Sequence, residues 1–260
     1  MAIHPTALVS KEAEVAQDVS IEAYAIVKGK TSIGSGSRID AHAIVGNDTG
    51  LVKIGKNNHI YSGAVIGGPP QDLKYKGEPT QLEIGDNNMF REFCTVNTGT
   101  VGGGGVTRIG SNCMMMAYVH IAHDCHFGDG IVIANTTNFA GHVTVEDHVR
   151  IGGVCSFNQF ITLGRYAYIA GDSTVNKDIL PYSIAQGKYA VVRATNKIGL
   201  ERAGFSKEEV ENINRAIRFV IMGSRTIEEA LKEIEEGCKP SDSLQHLVQF
   251  IQKSERGVAR

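Results

Sequence analysis

Large apolar residues recur every six positions along most of this chain. The first run starts at Ile3 and passes through Val9, Val15, Ile21, Val27, Ile33 and Ile39 to Val45. Three extra residues intervene before the frame resumes at Ile54, Ile60 and Ile66, and it returns at Ile84, Phe90 and Val96. The longest run goes unbroken from Ile109 through Met115, Ile121, Phe127, Ile133, Phe139, Val145, Ile151, Phe157, Leu163 and Ile169 to Val175. A helix places apolar residues three and four apart and a half-buried strand every second residue, so a period of six fits neither. It fits a solenoid in which each hexad is one short strand and a corner, with the apolar head inward and successive coils stacked. Glycine follows several heads, as at Gly34, Gly55, Gly85, Gly110 and Gly152, where a sharp bend of the backbone is expected. An antiparallel sandwich is the competing reading, but its turn signals every roughly 8–12 residues are missing.

The pattern resembles the hexapeptide repeat of left-handed parallel β-helices, in which three hexads make one triangular coil. The expected fold is mainly β, a left-handed parallel β-helix (hexapeptide-repeat solenoid) over residues 1–187, followed by a C-terminal α-helical domain over 188–260. Twenty-six hexads give nearly nine coils, a prism about 40 Å tall at the spacing of neighbouring strands. The hexads stop near Asn176, and Pro181 to Gly187 reads as a connecting turn. Beyond it the period becomes helical. Ser206 with Glu209 reads as a capping box ahead of Val210, Ile213, Ile217, Val220 and Ile221, and Gly223 as its stop. Thr226 with Glu229 opens a second helix carrying Ile227, Ala230, Leu231 and Ile234, and a third starts near Ser241 with Leu244, Leu247, Val248 and Ile251.

Composition narrows the class. The net charge is −2 and there is no long charge run, so nothing points to nucleic acid. Five scattered cysteines without CxxC spacing read as reduced thiols and point to a cytoplasmic protein. Met1 to Pro5 enters the repeat with no basic segment and apolar stretch behind it, so no signal peptide is expected, and no apolar run approaches a membrane span.

Two insertions break the repeat, at 72–83 and at 102–108, and breaks in a solenoid are where function is usually carried. A solvated loop is the alternative for each. The glycine run Gly102 to Gly105 is a poor phosphate cradle, since it neither follows an ordinary strand nor opens a helix.

The chemical signal is His120-Ile121-Ala122-His123-Asp124-Cys125-His126, in the middle of the longest run. A neutral imidazole is the natural general base for a hydroxyl near neutral pH, and a neighbouring carboxylate fixes its tautomer and stabilises the imidazolium that forms. Eighteen residues on, one coil higher, His123 maps to Gly141 and Asp124 to His142. That places a backbone without a side chain beside the base, where an N–H would be free for a developing oxyanion. Spaced histidines also suit a metal site, but three-residue steps within six-residue units alternate phase, so the rings need not converge. Plain surface histidines at corners are the third reading.

At these residues the chain resembles one family. The hexads, the helical C-terminus, Gly-Pro-Pro-Gln-Asp-Leu-Lys-Tyr at 68–75, Gly-Thr-Val-Gly-Gly-Gly-Gly at 99–105, His-Ile-Ala-His-Asp-Cys at 120–125 and Arg-Ala-Gly-Phe at 202–205 are similar to UDP-N-acetylglucosamine O-acyltransferases of lipid A biosynthesis. The resemblance implies transfer of a 3-hydroxyacyl group from acyl carrier protein to the sugar 3-position of UDP-N-acetylglucosamine, without a further cofactor or metal. It implies a homotrimer with sites in the clefts between prisms. His123 would be the general base, Asp124 its orienting partner, and the Gly141 N–H the oxyanion donor. Asp72, Lys74, His120, His142 and Gln159 match positions that face the substrates, and Gly171 the position that sets the depth of the acyl groove. Asn196 and Arg202 match the nucleotide-sugar region, Arg202 being suited to a phosphate. Arg215, Arg218 and Arg225 would face an acidic carrier protein, or form an ordinary solvated face.

Three positions depart from the family pattern. Asn97-Thr98 stands where His-Arg is frequent, Asn158 where a histidine precedes Gln-Phe, and Ile198 where a glutamate follows the asparagine. A sugar with an amine at the 3-position is therefore an alternative acceptor. A metal-dependent hydratase on the same fold and a non-catalytic scaffold are the alternatives of other classes.

Overall fold

A computed structural model describes residues 2–223 and 225–260, so Met1 of the N-terminal stretch lies outside the described residues. Twenty-six short parallel strands, from Ala2–Ile3 to Thr174–Val175, wind through three sheets in strict rotation. All of the apolar heads named above lie in these strands and stack on the head one coil away, as Ile3 on Ile21 and Ile121 on Phe139. From Ile21 onward every head is buried, each worth roughly 1.5–3 kcal/mol against exposure. The first coil is the exception: Ile3 is exposed and Val9 and Val15 half-buried, because no coil covers it from below.

The corners differ from the expectation. The glycines after the heads do not carry the sharp turn. A Cβ on Gly34, for example, would lie 2.6 Å from the Gly55 carbonyl stacked above it, so these glycines permit close coil-to-coil approach. The turn lies three residues after the head, where residue after residue adopts the left-handed conformation: Tyr24, His42, Phe93, Asp124, His142, Val154 and Phe160 all have φ between 59° and 64°. The next inward position is mostly small or polar, with Ile131 and Ile161 among the exceptions, and at one corner it builds a hidden ladder. Ser37 Oγ accepts from Asn58 N–H, Asn58 Oδ1 from Asn88 N–H and Asn88 Oδ1 from Cys113 N–H.

Pro181 to Gly187 is more than a turn. Ser183–Gly187 continues the first sheet beside Tyr168–Ile169 and forms an antiparallel hairpin with Ala190–Thr195. The division drawn between residues 187 and 188 falls inside that hairpin's turn. Among the described residues four helices follow where three were expected: α1 (Lys197–Arg202), α2 (Lys207–Ile221), α3 (Ile227–Gly237) and α4 (Asp242–Lys253). The additional α1 has six residues and a single buried one, Leu200, too few to print a periodicity. Thr226 and Glu229 form the full capping box. At α2 only half of one forms: Ser206 accepts from the Glu209 N–H, while the Glu209 carboxylate accepts from Ser241 Oγ, the cap of α4. That exchange ties α2 to α4. The helical part is tied to the prism through Asp178, whose carboxylate accepts from Thr162 N–H and Ser254 Oγ and whose backbone pairs with Gly257 and Ala259.

Candidate active site

Asp124 sits at a corner because every hexad turns there, and its left-handed φ of 60° aims its carboxylate back at the preceding residue. His123 Nδ1 lies 2.8 Å from Asp124 Oδ2. Both residues are almost sealed, at 7% and 3% exposure. With Nδ1–H donated to the carboxylate, Nε2 keeps its lone pair. The eighteen-residue offset brings Gly141 against the ring, where a Cβ would come within 2.6 Å of Cε1 and 2.9 Å of Nε2. Only glycine fits there. Among the described residues no acceptor is hydrogen-bonded to the Gly141 N–H. Equivalent N–H groups on another corner, those of Ser111 and Asp129, are taken by Asp129 and Asp147 one coil above. Above Gly141 stands Gln159 instead of an aspartate, and the N–H stays open.

A groove of about 370 Å³ runs past the pair, lined by Gln71, His120, Ala122, His123, Gly141 and Gln159 together with Asn138 and Ser156. The last two carry no signal in the sequence beyond their register with His120, one and two coils on. His120 Nδ1 is 2.7 Å from Thr95 Oγ1. His142 stands edge-on to His123 at 5.2 Å, stacks on Phe160 at 4.4 Å, and lies 3.7 Å from Asp124 Oδ2. Burial holds the His120 imidazole below its ordinary pKa, and proximity to His123 adds to the effect. Burial also lowers His142, against the pull of Asp124. His126 is lowered by burial and by Arg108. The histidines around the pair are thus biased toward the neutral form.

His123, Asp124 and His142 bring donor atoms within 4.8 Å of one another, as metal ligands would. Of the three, the Asp124 carboxylate is already committed: Oδ2 bonds His123 Nδ1 and Thr100 Oγ1, and Oδ1 accepts from Thr100 N–H. This Thr100 contact is the feature that the sequence reading missed. The second insertion is a single 3₁₀ turn, Val101–Gly103, followed by the strand Val106–Ile109, so its last residues belong to the repeat and not to a loop. The first insertion likewise ends in the strand Gln81–Ile84. Asp72 accepts from the Lys74 N–H inside that insertion and its charge bears on His142.

The remaining candidates lie elsewhere. Gly171 belongs to the corner between the first and second sheets, over Gly153. Asn196 is the cap of α1: its side chain accepts from the Gly199 N–H and donates to the Tyr166 carbonyl. Arg202 is exposed at the end of the same helix. Tyr166 is a corner residue between the third and first sheets, whereas His123 and Asp124 lie between the second and third. Within one chain these two groups are on different edges of the prism.

Comparison with known proteins agrees with this architecture. Residues 178–259 match the family model described as UDP-N-acetylglucosamine O-acyltransferase, domain 2. The chain is 45% identical over 260 residues, all of both chains, to the acyl-[acyl-carrier-protein]--UDP-N-acetylglucosamine O-acyltransferase of Anaeromyxobacter dehalogenans. Among solved structures it superposes on UDP-N-acetylglucosamine O-acyltransferase from Moraxella catarrhalis with a TM-score of 0.95 at 41% identity, covering 100% of each chain. LpxA from Acinetobacter baumannii matches with a TM-score of 0.96 at 39% identity and the same coverage. Fold and relatives define an acyltransferase built on a left-handed β-helix. The chain belongs to the UDP-N-acetylglucosamine O-acyltransferase family.

Proposed function

We propose that the protein transfers a 3-hydroxyacyl chain from acyl carrier protein to the 3-hydroxyl of UDP-N-acetylglucosamine, the first step of lipid A biosynthesis, with His123 as general base. Family membership supplies the reaction, and the observation that carries the mechanism is the buried His123–Asp124 pair pressed against Gly141 in an open groove. His123 Nε2 removes the hydroxyl proton as the sugar oxygen attacks the thioester carbonyl. The imidazolium is held by Asp124, the oxyanion by the Gly141 N–H, and the proton then passes to the departing thiolate. The thioester is already activated, so the reading needs neither metal nor resident cofactor.

Asp72, Lys74, His120, His142 and Gln159 surround the groove's substrates in this reading, with Gly171 leaving the acyl path open. Asn196 and Arg202 serve the nucleotide from a second chain, since they occupy another edge of their own prism. The protein is on this account a homotrimer with its sites between chains. The five free cysteines support a cytoplasmic location. No helix among the described residues is long and apolar enough to cross a membrane.

The test is a direct transfer assay. Purified protein is given 3-hydroxyacyl carrier proteins with UDP-N-acetylglucosamine and its 3-amino analogue in parallel, and the products are read by mass spectrometry. The expected product is the ester of UDP-N-acetylglucosamine. Product from the amino analogue alone would replace the acceptor and make the enzyme an amide former. His123→Ala is expected to lower kcat by about 10²- to 10⁴-fold and to abolish the acid limb of kcat/KM.

A further inference from the structure

We propose that the glycine-rich insertion is a clamp on the carboxylate of the catalytic pair, with Thr100 and Gly103 as positioning residues for the base. The inference rests on His123 being that base. Thr100 delivers two hydrogen bonds to one carboxylate, from its N–H to Asp124 Oδ1 at 2.7 Å and from its hydroxyl to Oδ2 at 2.6 Å. The Thr100 hydroxyl in turn accepts from the Gly103 N–H at 3.2 Å, so its proton is directed at Asp124. From the other side Thr107, fully buried, accepts the Asp124 N–H through Oγ1 at 2.8 Å and holds the corner backbone. Gln81 grips both ends of the insertion, accepting from the Gly99 N–H and donating to the Gly105 carbonyl. Three donors thus converge on the Asp124 carboxylate, two from Thr100 and one from His123.

The four glycines separate by physical cause. Gly104 and Gly105 have φ of 93° and 82° and open space around them, so they are there for their backbone. Gly102 has neither a positive φ nor a neighbour within 4 Å. Gly103 has no positive φ either, yet a Cβ there would fall 2.1 to 2.4 Å from the Asp124 carboxyl atoms. Its glycine is required by the carboxylate alone. A loop that only linked two strands would have no such requirement. A structure that presses the turn onto Asp124 leaves Oδ2 one orientation, and through it the imidazole.

Thr100→Val keeps the shape and the N–H but removes the hydroxyl. It is expected to lower kcat by about 10- to 100-fold, with KM for both substrates within about twofold. Relieved of one donor, Asp124 pairs more strongly with the imidazolium, so the acid limb of kcat/KM moves to higher pH. The other titratable groups facing His123 are His120 and His142, with Asp72 beyond His142; none is altered by the substitution. Thr100→Ser restores both kcat and the limb. Gly103→Ala reproduces the kcat loss and lowers Tm as the held carboxylate gives way, while Gly102→Ala behaves as wild type in both. Wild-type kcat in Thr100→Val, failure of Thr100→Ser to rescue, or equal behaviour of Gly102→Ala and Gly103→Ala would each overturn the clamp. His123→Ala in the same assay separates the two readings. If it is inactive while Thr100→Val is normal, the clamp alone falls; if it keeps activity and its acid limb, the base assignment falls and the clamp with it.

Discussion

His123 and Asp124 occupy positions that every hexad supplies, and what distinguishes them is what is stacked around them. The imidazole needs the missing side chain at Gly141 above it, and the carboxylate needs the missing side chain at Gly103 beside it. Cysteines show the same dependence on setting. Cys94, Cys113, Cys125 and Cys155 are sealed inside the coils, and burial pushes Cys94 and Cys125 up to about 12 and Cys113 to about 11. A thiol in the unfolded chain ionises near about 8.5. These groups therefore stabilise the fold fully below that pH, and their contribution is lost as pH rises toward the raised values. At pH 8 a thiol reagent is expected to titrate Cys238 alone in the native protein and all five cysteines after unfolding. Two or more equivalents reacting in the native state would contradict this burial.

At the scale of the element, the corner is the unit that the sequence conceals. Its left-handed residue falls on tyrosine, phenylalanine and even valine as well as on asparagine, aspartate and histidine, and the first three do not announce a positive φ. Val154 is strained, a β-branched side chain at φ 60° and exposed. Val154→Asn is expected to stabilise the protein by about 1 kcal/mol, read as a rise in the urea midpoint at constant slope; a fall would show that Val154 is held by contacts that outweigh its strain. The apolar heads were legible because their period admits one architecture, and the helices α2, α3 and α4 because their caps and faces coincide. Helix α1 and the strand Ser183–Gly187 were not, the first for want of periodicity and the second because Pro181 and Gly187 imitate a turn. The pair His123–Asp124 and its partner Gly141 followed from an eighteen-residue offset. Thr100 and Thr107 did not, because their link to Asp124 crosses an insertion that breaks the offset, and hydroxyl residues among glycines look like solvated loop.

At the scale of the whole molecule, Asn196 and Arg202 lie on a different edge of the prism from His123. On the proposed reading only a neighbouring chain brings the one edge to the other. Sedimentation is expected to give three times the 28.0 kDa chain mass, and a monomer of full activity would refute the arrangement. The two insertions leave the third sheet intact, since Gln81–Ile84 pairs in full register with Leu51–Ile54 on one side and Val106–Ile109 on the other, and they mark the second only by a register shift between Ile66 and Gly68.

Stacking also fixes a distance. Asp124 and Asp178 occupy the same corner three coils apart, one bonded to the His123 imidazole and the other anchoring the chain's C-terminal segment. That separation comes in whole storeys, about 14 Å for three. A residue added to one strand cannot stretch it by a fraction; it would rotate every later side chain off its face. The reach between the catalytic floor and the helical roof is quantised, and a lineage can lengthen or shorten it only by gaining or losing an entire turn of the staircase.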